Sequence, residues 1–257
     1  TEESLLAEVE DMLDSYDGMT ASITDFQKTE ATDDTVGALS GTVILKNASG
    51  DTVEIPFNLS IPRTSLVYNA SFELSTYNGQ QPEGWEIWYR SGGNGNFYVE
   101  SKPDLGGAHS GDWYGMHWGS NGYDGSTYQI VKNLPNGMYR ASVWVKNTPF
   151  TSSTADPCAA CFVVKDFGQG STGSGLKYVD LSAGNSEWTQ VEIEDVPVTN
   201  GQMHIEIYTQ AKNGTLEWIM FDDFVIEPYE YDVAVAPTEN GAIAVSSEKA
   251  SEGETIE

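Results

Sequence analysis

Asn-Gly dipeptides recur along this chain and limit what it can fold into. Seven of them occur, starting at residues 78, 94, 121, 136, 200, 213 and 240. Both residues tolerate positive φ, so Asn-Gly is the strongest short-range signal for a turn between two antiparallel strands. Between these turns, residues 65–228 form short strand-like runs without a helical apolar period. Many short strands with frequent turn signals predict an all-β sandwich or barrel for this stretch.

The two ends of the chain show different patterns. Apolar residues at helical spacing predict an amphipathic helix within residues 1–18, which we expect to be the tail of an upstream region. Residues 19–63 switch to period two, with an NASG turn at 47–50 between two strand patterns. Residues 229–257 contain a further strand–turn–strand pattern. The sequence therefore predicts one helix, a small β segment, a large all-β unit and a partial C-terminal unit.

The charge of the chain excludes several classes of partner. There are 39 acidic and 12 basic side chains, for a formal net charge of −27. Nucleic-acid binding requires clustered Lys and Arg, and anionic membranes attract basic segments. No apolar stretch approaches the roughly 20 residues of a membrane-spanning helix. The sequence therefore predicts no nucleic-acid partner and no membrane insertion, and it leaves neutral ligands and metal cations open.

The only two cysteines, Cys158 and Cys161, lie in the segment PCAAC. A redox Cys-x-x-Cys pair is expected beside a βαβ pattern, which this segment lacks. A zinc site would need about two further ligands, and the chain has only three histidines. We expect either a loop disulfide or two inert thiols.

Six segments of the large unit together resemble the galactose-binding-like jelly rolls found among carbohydrate-binding modules, with families 61, 4 and 22 as the nearest relatives. The run AHSGDWYGMHW favours the galactan-binding family 61. The flanking segments resemble a shortened bacterial immunoglobulin-like module (19–63) and the first half of an internalin-type B-repeat (229–257). The six segments are LVYNASFEL at 66–74, PEGWEIW at 82–88, AHSGDWYGMHW at 108–118, NLPNGMYRASVWV at 133–145, EWTQVEIEDVPVTNGQMHIEIY at 187–208 and WIMFDDFVIE at 218–227.

This resemblance implies a fold and a function. Residues 64–228 should form an antiparallel β-sandwich of the jelly-roll type. The module should be non-catalytic, monomeric and part of a secreted or cell-surface multimodular bacterial protein. It should hold a glycoside hydrolase or a cell-surface complex on a neutral plant polysaccharide, with β-1,4-galactan as the first choice and starch or xylan as alternatives.

The resemblance also implies one structural calcium ion. Its ligands should be the carbonyl groups of Ser71 and Asp112 and the side chains of Glu73 and Asp222. A physical argument supports an inward acid here, since adjacent residues on a strand face opposite sides and one of Asp222 and Asp223 must therefore point inward. A buried carboxylate needs a cation or several hydrogen-bond donors. Calcium, which prefers six to eight oxygen ligands, suits this set.

Aromatic residues in Gly- and Asn-rich loops predict the sugar-binding surface. Aromatics within strand motifs, such as Phe72, Trp85 and Phe221, are expected to pack in the core. Exposed rings on loops can stack on the C–H faces of sugars, and neighbouring amides and acids can hydrogen-bond the hydroxyls. The predicted ligand-binding residues are Trp88, Tyr89, Asn96, Trp118, Tyr123, Asp124, Phe167 and Gln169.

Two other functions are weighed against sugar binding. The sequence contains no HExxH, GxSxG or EF-hand spacing, and a chance pair of carboxylates is expected among 39 acids, so nothing specific favours an enzyme. A protein-binding adhesin or a structural stalk module would fit the flanking segments equally well. The loop aromatics interleaved with amides favour the carbohydrate-binding module.

Overall fold

A computed structural model describes residues 2–13, 18–32, 35–61, 65–90, 95–152, 154–155, 157–168, 175–233 and 249–251. The chain divides into two compact units, Thr1–Ser65 and Leu66–Glu257. Antiparallel strands dominate the described parts of both units, which contain one α-helix and a single 3-10 turn. The predicted all-β class with one N-terminal helix is thus confirmed. Within the described ranges, no helix has the length and apolar character needed to cross a membrane.

The first unit consists of a helix and a three-stranded sheet in the order β1-β2-β3. Asn47 sets the predicted hairpin turn, because its Oδ1 accepts hydrogen bonds from the backbone amides of Ser49 at 3.0 Å and Asp51 at 2.9 Å. The register then continues as an unbroken ladder from Lys46 opposite Thr52. The elements are α1 (Glu2–Leu13), β1 (Thr20–Thr29), β2 (Gly37–Lys46) and β3 (Thr52–Ile61).

The second unit is an antiparallel β-sandwich, as predicted. A short β12–β13 pair follows it; most of the strand–turn–strand pattern predicted within 229–257 lies outside the described residues. The strands are β4 (Glu86–Tyr89), β5 (Asn96–Glu100), β6 (Tyr114–Lys132), β7 (Gly137–Asn147), β8 (Ala160–Lys165), β9 (Leu176–Asp180), β10 (Asn185–Val198), β11 (Gln202–Pro228), β12 (Glu230–Asp232) and β13 (Lys249–Ser251).

Two long strands, β6 and β11, run through both layers of the sandwich. Their 123–132 and 202–211 portions pair with each other; β4 pairs with β6 on one side, β8 pairs with β11 on the other, and β9 pairs with β8. We call these five strands the front layer. In the back layer, the opposite halves of β6 and β11 pair with β5 and β7, and β10 pairs with β7. One continuous hydrogen-bonded sheet therefore folds over to make both layers.

The sheet folds over at the point where β6 and β11 pass from one layer to the other. The β6–β11 register shifts between Asn213 and Glu217, which marks an irregularity of the kind that bends a strand. Opposite it, Gly122 has φ +67°, and a Cβ there would come within 2.9 Å of the Asn213 amide nitrogen. Glycine is thus required at this corner, which explains the Asn-Gly pair at 121.

The core between the layers is rich in aromatic side chains. Phe72 contacts Trp85, Phe221 and Phe224 at ring-centre distances between 5.4 and 6.2 Å. Burying a side chain of this size contributes roughly 1.5–3 kcal/mol. These residues, together with Tyr139, are buried as predicted, although Phe72 and Trp85 lie in the irregular segment before β4 and not in strands.

Candidate functional site

The outer face of the front layer carries three rows of side chains that cross the strands. Because directly opposed residues on antiparallel strands share a face, the pairing register identifies the rows. One row runs from Trp88 through Ser126 and Tyr208 to Cys161. A second row contains Tyr128, Glu206, Val163 and Tyr178, and a third contains His204, Lys165 and Leu176.

These rows enclose an open groove of about 450 Å³, which we call the front groove. This volume falls within the usual range for a small-ligand site. The groove spans five strands, and at about 4.8 Å between neighbouring strands it extends for roughly 19 Å. Its lining residues are Trp88, Arg90, Ser126, Tyr128, Pro157, Val163, Lys165, Leu176, His204, Glu206 and Tyr208.

Aromatic and apolar side chains line the groove at both ends. Trp88 in β4 is 44% exposed and Leu176 in β9 is 55% exposed, although both are large apolar side chains. Between them, the Tyr128 ring stacks on the His204 ring at 4.6 Å. A ligand lying across the strands would therefore meet an exposed indole at one end and an aromatic stack in the middle.

The charged groups of the groove are paired with one another. Arg90 Nε lies 3.0 Å from Asp124 Oδ2, and Lys165 Nζ lies 2.7 Å from Glu206 Oε2. Glu206 also accepts a 2.9 Å contact from His204 Nε2. Burial alone would raise the pKa of Glu206, but the hydrogen bonds from His204 and Lys165 outweigh it and lower the pKa. Despite the large negative charge of the chain, the groove itself is close to electrically balanced.

Asp124 organises the end of the groove near β4. Besides Arg90, it accepts hydrogen bonds from the Tyr208 hydroxyl at 3.0 Å and from Gln210 Nε2 at 2.6 Å. Burial and the charge of Asp124 raise the pKa of Tyr208 to about 12, so this hydroxyl stays protonated and donates. Beyond Arg90 and Asp124, a second open cavity of about 390 Å³ is lined by polar residues that include Ser152, Thr154 and Gln210. Since Arg90 borders both cavities, a long ligand could continue from one to the other.

The two cysteines lie behind one wall of the groove. Cys158 and Cys161 are joined by a disulfide, one of the two states expected from the sequence. Both are buried against Val163 and Tyr208, and Pro157 beside them lines the groove. The disulfide therefore closes the short loop that leads into β8.

Of the predicted sugar-binding residues, Trp88 lines the front groove, and Asp124 lines the neighbouring cavity of about 390 Å³. Tyr89 does not line this groove: it follows Trp88 on the same strand and so faces the opposite side, where it packs on Phe97 at 4.9 Å. Gln169 lies outside the described residues.

The prediction that Tyr123 and Phe167 are exposed loop aromatics is wrong. Tyr123 is 3% exposed, and its hydroxyl donates to the Glu217 carbonyl at 2.8 Å. Phe167 is 2% exposed and belongs to the main core. Tyr123 belongs to β6 and points into the sandwich, and Phe167 folds into the core beneath its loop, so neither ring can stack on a ligand from solvent.

The prediction of a single aromatic platform is also wrong for Trp118. This residue lies on the outer face of the back layer, directly opposite Asn96 on β5, and not beside Trp88. Trp88 lies in β4 of the front layer, whereas Trp118 lies in the part of β6 that belongs to the back layer, because β6 changes layers between Trp118 and Asp124. The two tryptophans therefore serve different surfaces.

Sequence reasoning missed the groove residues that lie within strands. Tyr128, His204, Glu206 and Tyr208 come from β6 and β11, and Lys165 ends β8. A usable signal was present in the segment HIEIY at 204–208, where polar and apolar residues alternate. The polar members of such a strand face away from the core, and here their face is the groove.

The residues predicted to bind calcium gather around the loop at 108–113. Glu73 Oε1 accepts hydrogen bonds from the backbone amides of Asp112 at 3.0 Å and Trp113 at 2.9 Å. At the other end of the loop, Asp222 Oδ2 accepts from the amides of His109 at 2.9 Å and Ser110 at 3.2 Å. The expectation that one acid of the Asp pair points inward is met by Asp222, which is fully buried.

The electrostatics of this loop are unusual. Burial, followed by the negative charge of Asp223, raises the pKa of Asp222 to about 9, although three backbone amides donate to it. Burial also raises the pKa of Glu73. Ser71, the fourth predicted ligand, is half-buried in the turn before Glu73. A cation with oxygen ligands would offset the cost of ionising these carboxyl groups, so the donor chemistry fits calcium.

Side chains alone do not complete such a site. In the part of the chain that the structure describes, no group of three or more His, Cys, Asp and Glu side chains is placed to hold a metal ion. The predicted set does not require one, because two of its four ligands are backbone carbonyls. Calcium binding therefore stays a prediction.

Comparison with known proteins gives structural matches only. No protein-family model matches the chain, and no curated protein matches it. One similar solved structure is a family 61 carbohydrate-binding module in complex with β-1,4-galactotriose, with 21% identity, a TM-score of 0.47 and coverage of 63% of this chain and 97% of that one. Another is a xylan-binding domain of family 22, with 14% identity, a TM-score of 0.39 and coverage of 64% and 96%. A family 16 carbohydrate-binding module matches with 16% identity, a TM-score of 0.39 and coverage of 58% and 96%. At these levels of similarity, the functional assignment depends on the residues of the front groove.

Proposed function

We propose that the front groove binds a neutral polysaccharide or oligosaccharide, and that the chain is a non-catalytic carbohydrate-binding module. The observation that carries this proposal is the exposed Trp88 ring at the end of a groove that also presents hydrogen-bonding side chains held in place by one another. An indole face of this kind gains contact area when a sugar ring covers it. Serine, tyrosine, glutamate and lysine side chains along the strands can meet the hydroxyl groups.

The charge pairing within the groove supports a neutral ligand. Arg90 and Lys165 each lie against a carboxylate, so neither is a free cation for an anionic sugar. The same pairing argues against catalysis. Asp124 and Glu206, the acids nearest the groove, are held by several donors each and are poorly placed to exchange protons with a substrate.

The resemblance of the AHSGDWYGMHW segment to family 61 favours β-1,4-galactan as the ligand. The setting that this resemblance implies is a secreted or cell-surface multimodular bacterial protein, in which the module acts as a monomer and keeps a glycoside hydrolase or a surface complex on plant polysaccharide. Xylan and starch are the alternatives. Affinity should be micromolar to millimolar, or roughly −4 to −8 kcal/mol, because the desolvation of a hydrated sugar offsets most of the gain.

Affinity electrophoresis of the chain against galactan, xylan and soluble starch tests the proposal. Retardation by at least one polysaccharide, lost in Trp88→Ala, is the expected result. Binding should change little between low and moderate salt, since a neutral ligand is not subject to ionic screening. If no polysaccharide retards the chain, the protein-binding adhesin or stalk function takes precedence.

We further propose that the loop at 108–113 holds one calcium ion with a structural role. The buried Asp222, the Glu73 carboxylate and the carbonyl groups of Ser71 and Asp112 would supply its oxygen ligands. An ion bound only by the folded state raises stability by about 2.7 kcal/mol at a concentration 100-fold above its dissociation constant. Calcium should therefore raise the melting temperature of chelator-treated protein, and the Glu73→Ala variant should not respond.

A further inference from the structure

The open cavity of about 390 Å³ beyond Arg90 lies on the same face as the front groove, but one step further along the strands; we call it the side cavity. Its Asp124 and Gln210 lie directly opposite each other on β6 and β11, two residues away from the Ser126–Tyr208 pair that lines the groove. Two residues of an antiparallel strand span about 6.8 Å. The side cavity is therefore displaced along the strands, whereas the front groove extends across them.

The side cavity differs from the front groove in its chemistry. Of the ten described residues that line it, seven carry a polar or charged side chain. Its one aromatic residue, Tyr123, is only 3% exposed and offers no ring face to a ligand. A ligand in this cavity would therefore be bound through hydrogen bonds and not by stacking.

A chain of hydrogen bonds holds the polar side chains of this cavity. Ser152 Oγ and Thr154 Oγ1 donate to Gln210 Oε1 at 2.5 Å and 3.0 Å, and Gln210 Nε2 donates to Asp124 Oδ2 at 2.6 Å. A hydroxyl group has one proton to donate and two lone pairs. Because both protons are used within the chain, the oxygens of Ser152 and Thr154 are left to accept hydrogen bonds from a ligand.

Lys212 adds hydrogen-bond donors to the same cavity. Its side chain is exposed, and among the described residues no ion pair or hydrogen bond involves its ammonium group, which carries three N–H donors. The other cation of the cavity, Arg90, is paired with Asp124 at 3.0 Å. The buried Glu217 lies beside Lys212 and offsets part of its charge. Donors and acceptors with little net charge suit the hydroxyl groups of a neutral sugar.

Glu217 also holds together the two segments that enclose the side cavity. Its Oε1 accepts hydrogen bonds from the Thr151 amide at 3.0 Å and the Thr151 hydroxyl at 2.7 Å, and its Oε2 accepts from the Lys212 amide at 2.9 Å. Thr151 precedes Ser152 and Thr154 in the segment between β7 and β8, and Lys212 begins the bend of β11. Both walls are thus attached to one buried acid, which reduces the entropy lost when a ligand is ordered between them.

The position of the side cavity indicates which part of a polysaccharide could enter it. A linear chain that lies across the strands would follow the front groove from Trp88 towards Leu176 and would pass the side cavity by. A sugar attached to that chain as a branch near Arg90, which borders both cavities, would instead point along the strands and into the side cavity.

We propose that the side cavity binds a neutral sugar branch of the polysaccharide whose main chain lies in the front groove. The proposal rests on the proposed function of that groove. Lys212 donates to hydroxyl groups of the branch, and Ser152 and Thr154 accept from them. The module then distinguishes the branched from the unbranched form of one polysaccharide.

Three matched pairs of polymers test this proposal by affinity electrophoresis of the full chain. They are a β-1,4-galactan and a xylan that carry arabinose branches, each before and after treatment with an arabinofuranosidase, and starch as amylopectin and as amylose. The branched member of the pair that binds should be bound about tenfold more tightly, as expected for one or two additional hydrogen bonds. Equal binding of the two members would overturn the branch site and leave the proposed function intact. Absence of binding to all six polymers would overturn both.

Variants separate the branch site from the main chain site. Lys212→Met should reduce binding of the branched polymer to the level of the unbranched one, and Ser152→Ala should reduce the difference in part. Trp88→Ala should weaken both members of the pair by the same factor. Lys46→Met, which removes the same charge from an exposed position in the first unit, should change neither. An equal loss for both polymers in Lys212→Met, an unchanged preference in that variant, or tighter binding of a xylan with glucuronic acid branches would each overturn the proposal.

Discussion

The guanidinium carbon of Arg90 lies 6.0 Å from the centre of the Trp88 ring. The same guanidinium is held by Asp124 at 3.0 Å, and the Arg90 backbone amide donates to the Asp124 carbonyl at 2.9 Å. A cation over an indole face at an exposed site is worth about 0.5–1 kcal/mol. Arg90, which directly follows β4, is thus held by Asp124 on the neighbouring strand β6 and helps to orient the exposed Trp88 ring.

Trp88 and Tyr89 form a matched pair for testing the front groove. Trp88→Ala should weaken polysaccharide binding by about 1–2 kcal/mol, if stacking of bases on aromatic side chains is a fair guide. Tyr89→Ala should change affinity little, because the two side chains leave β4 on opposite faces although their exposures are similar, at 44% and 40%. Calorimetric titration with galactan, xylan and malto-oligosaccharides measures both. Equal losses in the two variants would mean that the ligand does not lie on the outer face of the front layer.

The contrast between these neighbours shows how much of the site could be predicted from sequence. Asn-Gly pairs and aromatics within strand-like sequence patterns are local signals, and they predicted the sandwich and buried core residues such as Phe221 and Phe224. Whether an aromatic ring is exposed to solvent depends on the tertiary packing around it and not on the neighbouring sequence. Tyr123 and Phe167 have the same Gly-rich sequence surroundings as an exposed ring, but Tyr123 lies in β6, both rings point into the sandwich, and burial of each ring is favourable.

The division of the aromatic residues between two surfaces could not be predicted either. It depends on the layer change of β6 between Trp118 and Asp124, which requires the pairing of β6 with β11 about 90 residues away. The acidic residues near the loop at 108–113, in contrast, could be predicted. Glu73 and Asp222 could be placed at one loop from the sequence alone, because a family resemblance fixes their relative positions and alternation along a strand requires an inward acid.

The buried Lys165–Glu206–His204 network predicts a specific loss of stability in acid. The pKa of Glu206 is lower in the folded state than its ordinary value of 4.5, so the folded state favours the ionised form. This contribution is complete above pH 4.5 and is lost as the pH falls through the folded-state value. Glu206→Gln should therefore lower the free energy of unfolding at pH 7 by about 1.5–3 kcal/mol, the range for hydrogen bonds to charged groups.

Urea unfolding at pH 7 and at pH 3 measures this effect. The difference between wild type and Glu206→Gln should be large at pH 7 and should shrink at pH 3. Leu176→Ala, an exposed change in the same groove, serves as the control and should show no such pH dependence. A constant difference at both pH values would show that the Glu206 charge does not contribute.

When calcium is absent, Asp222 should give the stability of the folded state the opposite pH dependence. Its folded-state pKa of about 9 lies far above its ordinary value of 3.8, so the folded state retains the proton. In a chelator, stability should then decline as the pH rises from about 4 to about 9. Calcium should remove this decline, because it favours the ionised carboxylate, and its stabilising effect should therefore be larger at pH 8 than at pH 5.

Melting temperatures with chelator and with calcium, at both pH values, check this prediction. In Asp222→Asn, neither the decline with pH nor the response to calcium should remain. If wild-type protein melts at the same temperature with chelator and with calcium at pH 8, the loop holds no calcium and its amide donors alone satisfy the acids.

Substitution of Gly111 by alanine tests whether the Glu73 carboxylate holds the loop at 108–113 in place. Gly111 has φ +59°, and a Cβ at this position would collide with the carboxyl group of Glu73. Gly79 has a similar φ of +86°, and a Cβ there would meet no atom within 4 Å, so Gly79→Ala carries only the backbone strain of about 1–2 kcal/mol. Gly111→Ala should cost roughly 1–3 kcal/mol more, because Glu73 must move and leave the amides of Asp112 and Trp113 without their acceptor.

Chemical unfolding of both variants gives the two values, and the calcium response should survive in Gly79→Ala but not in Gly111→Ala. Equal costs and an intact calcium response in both would mean that the position of Glu73 is not what fixes this loop.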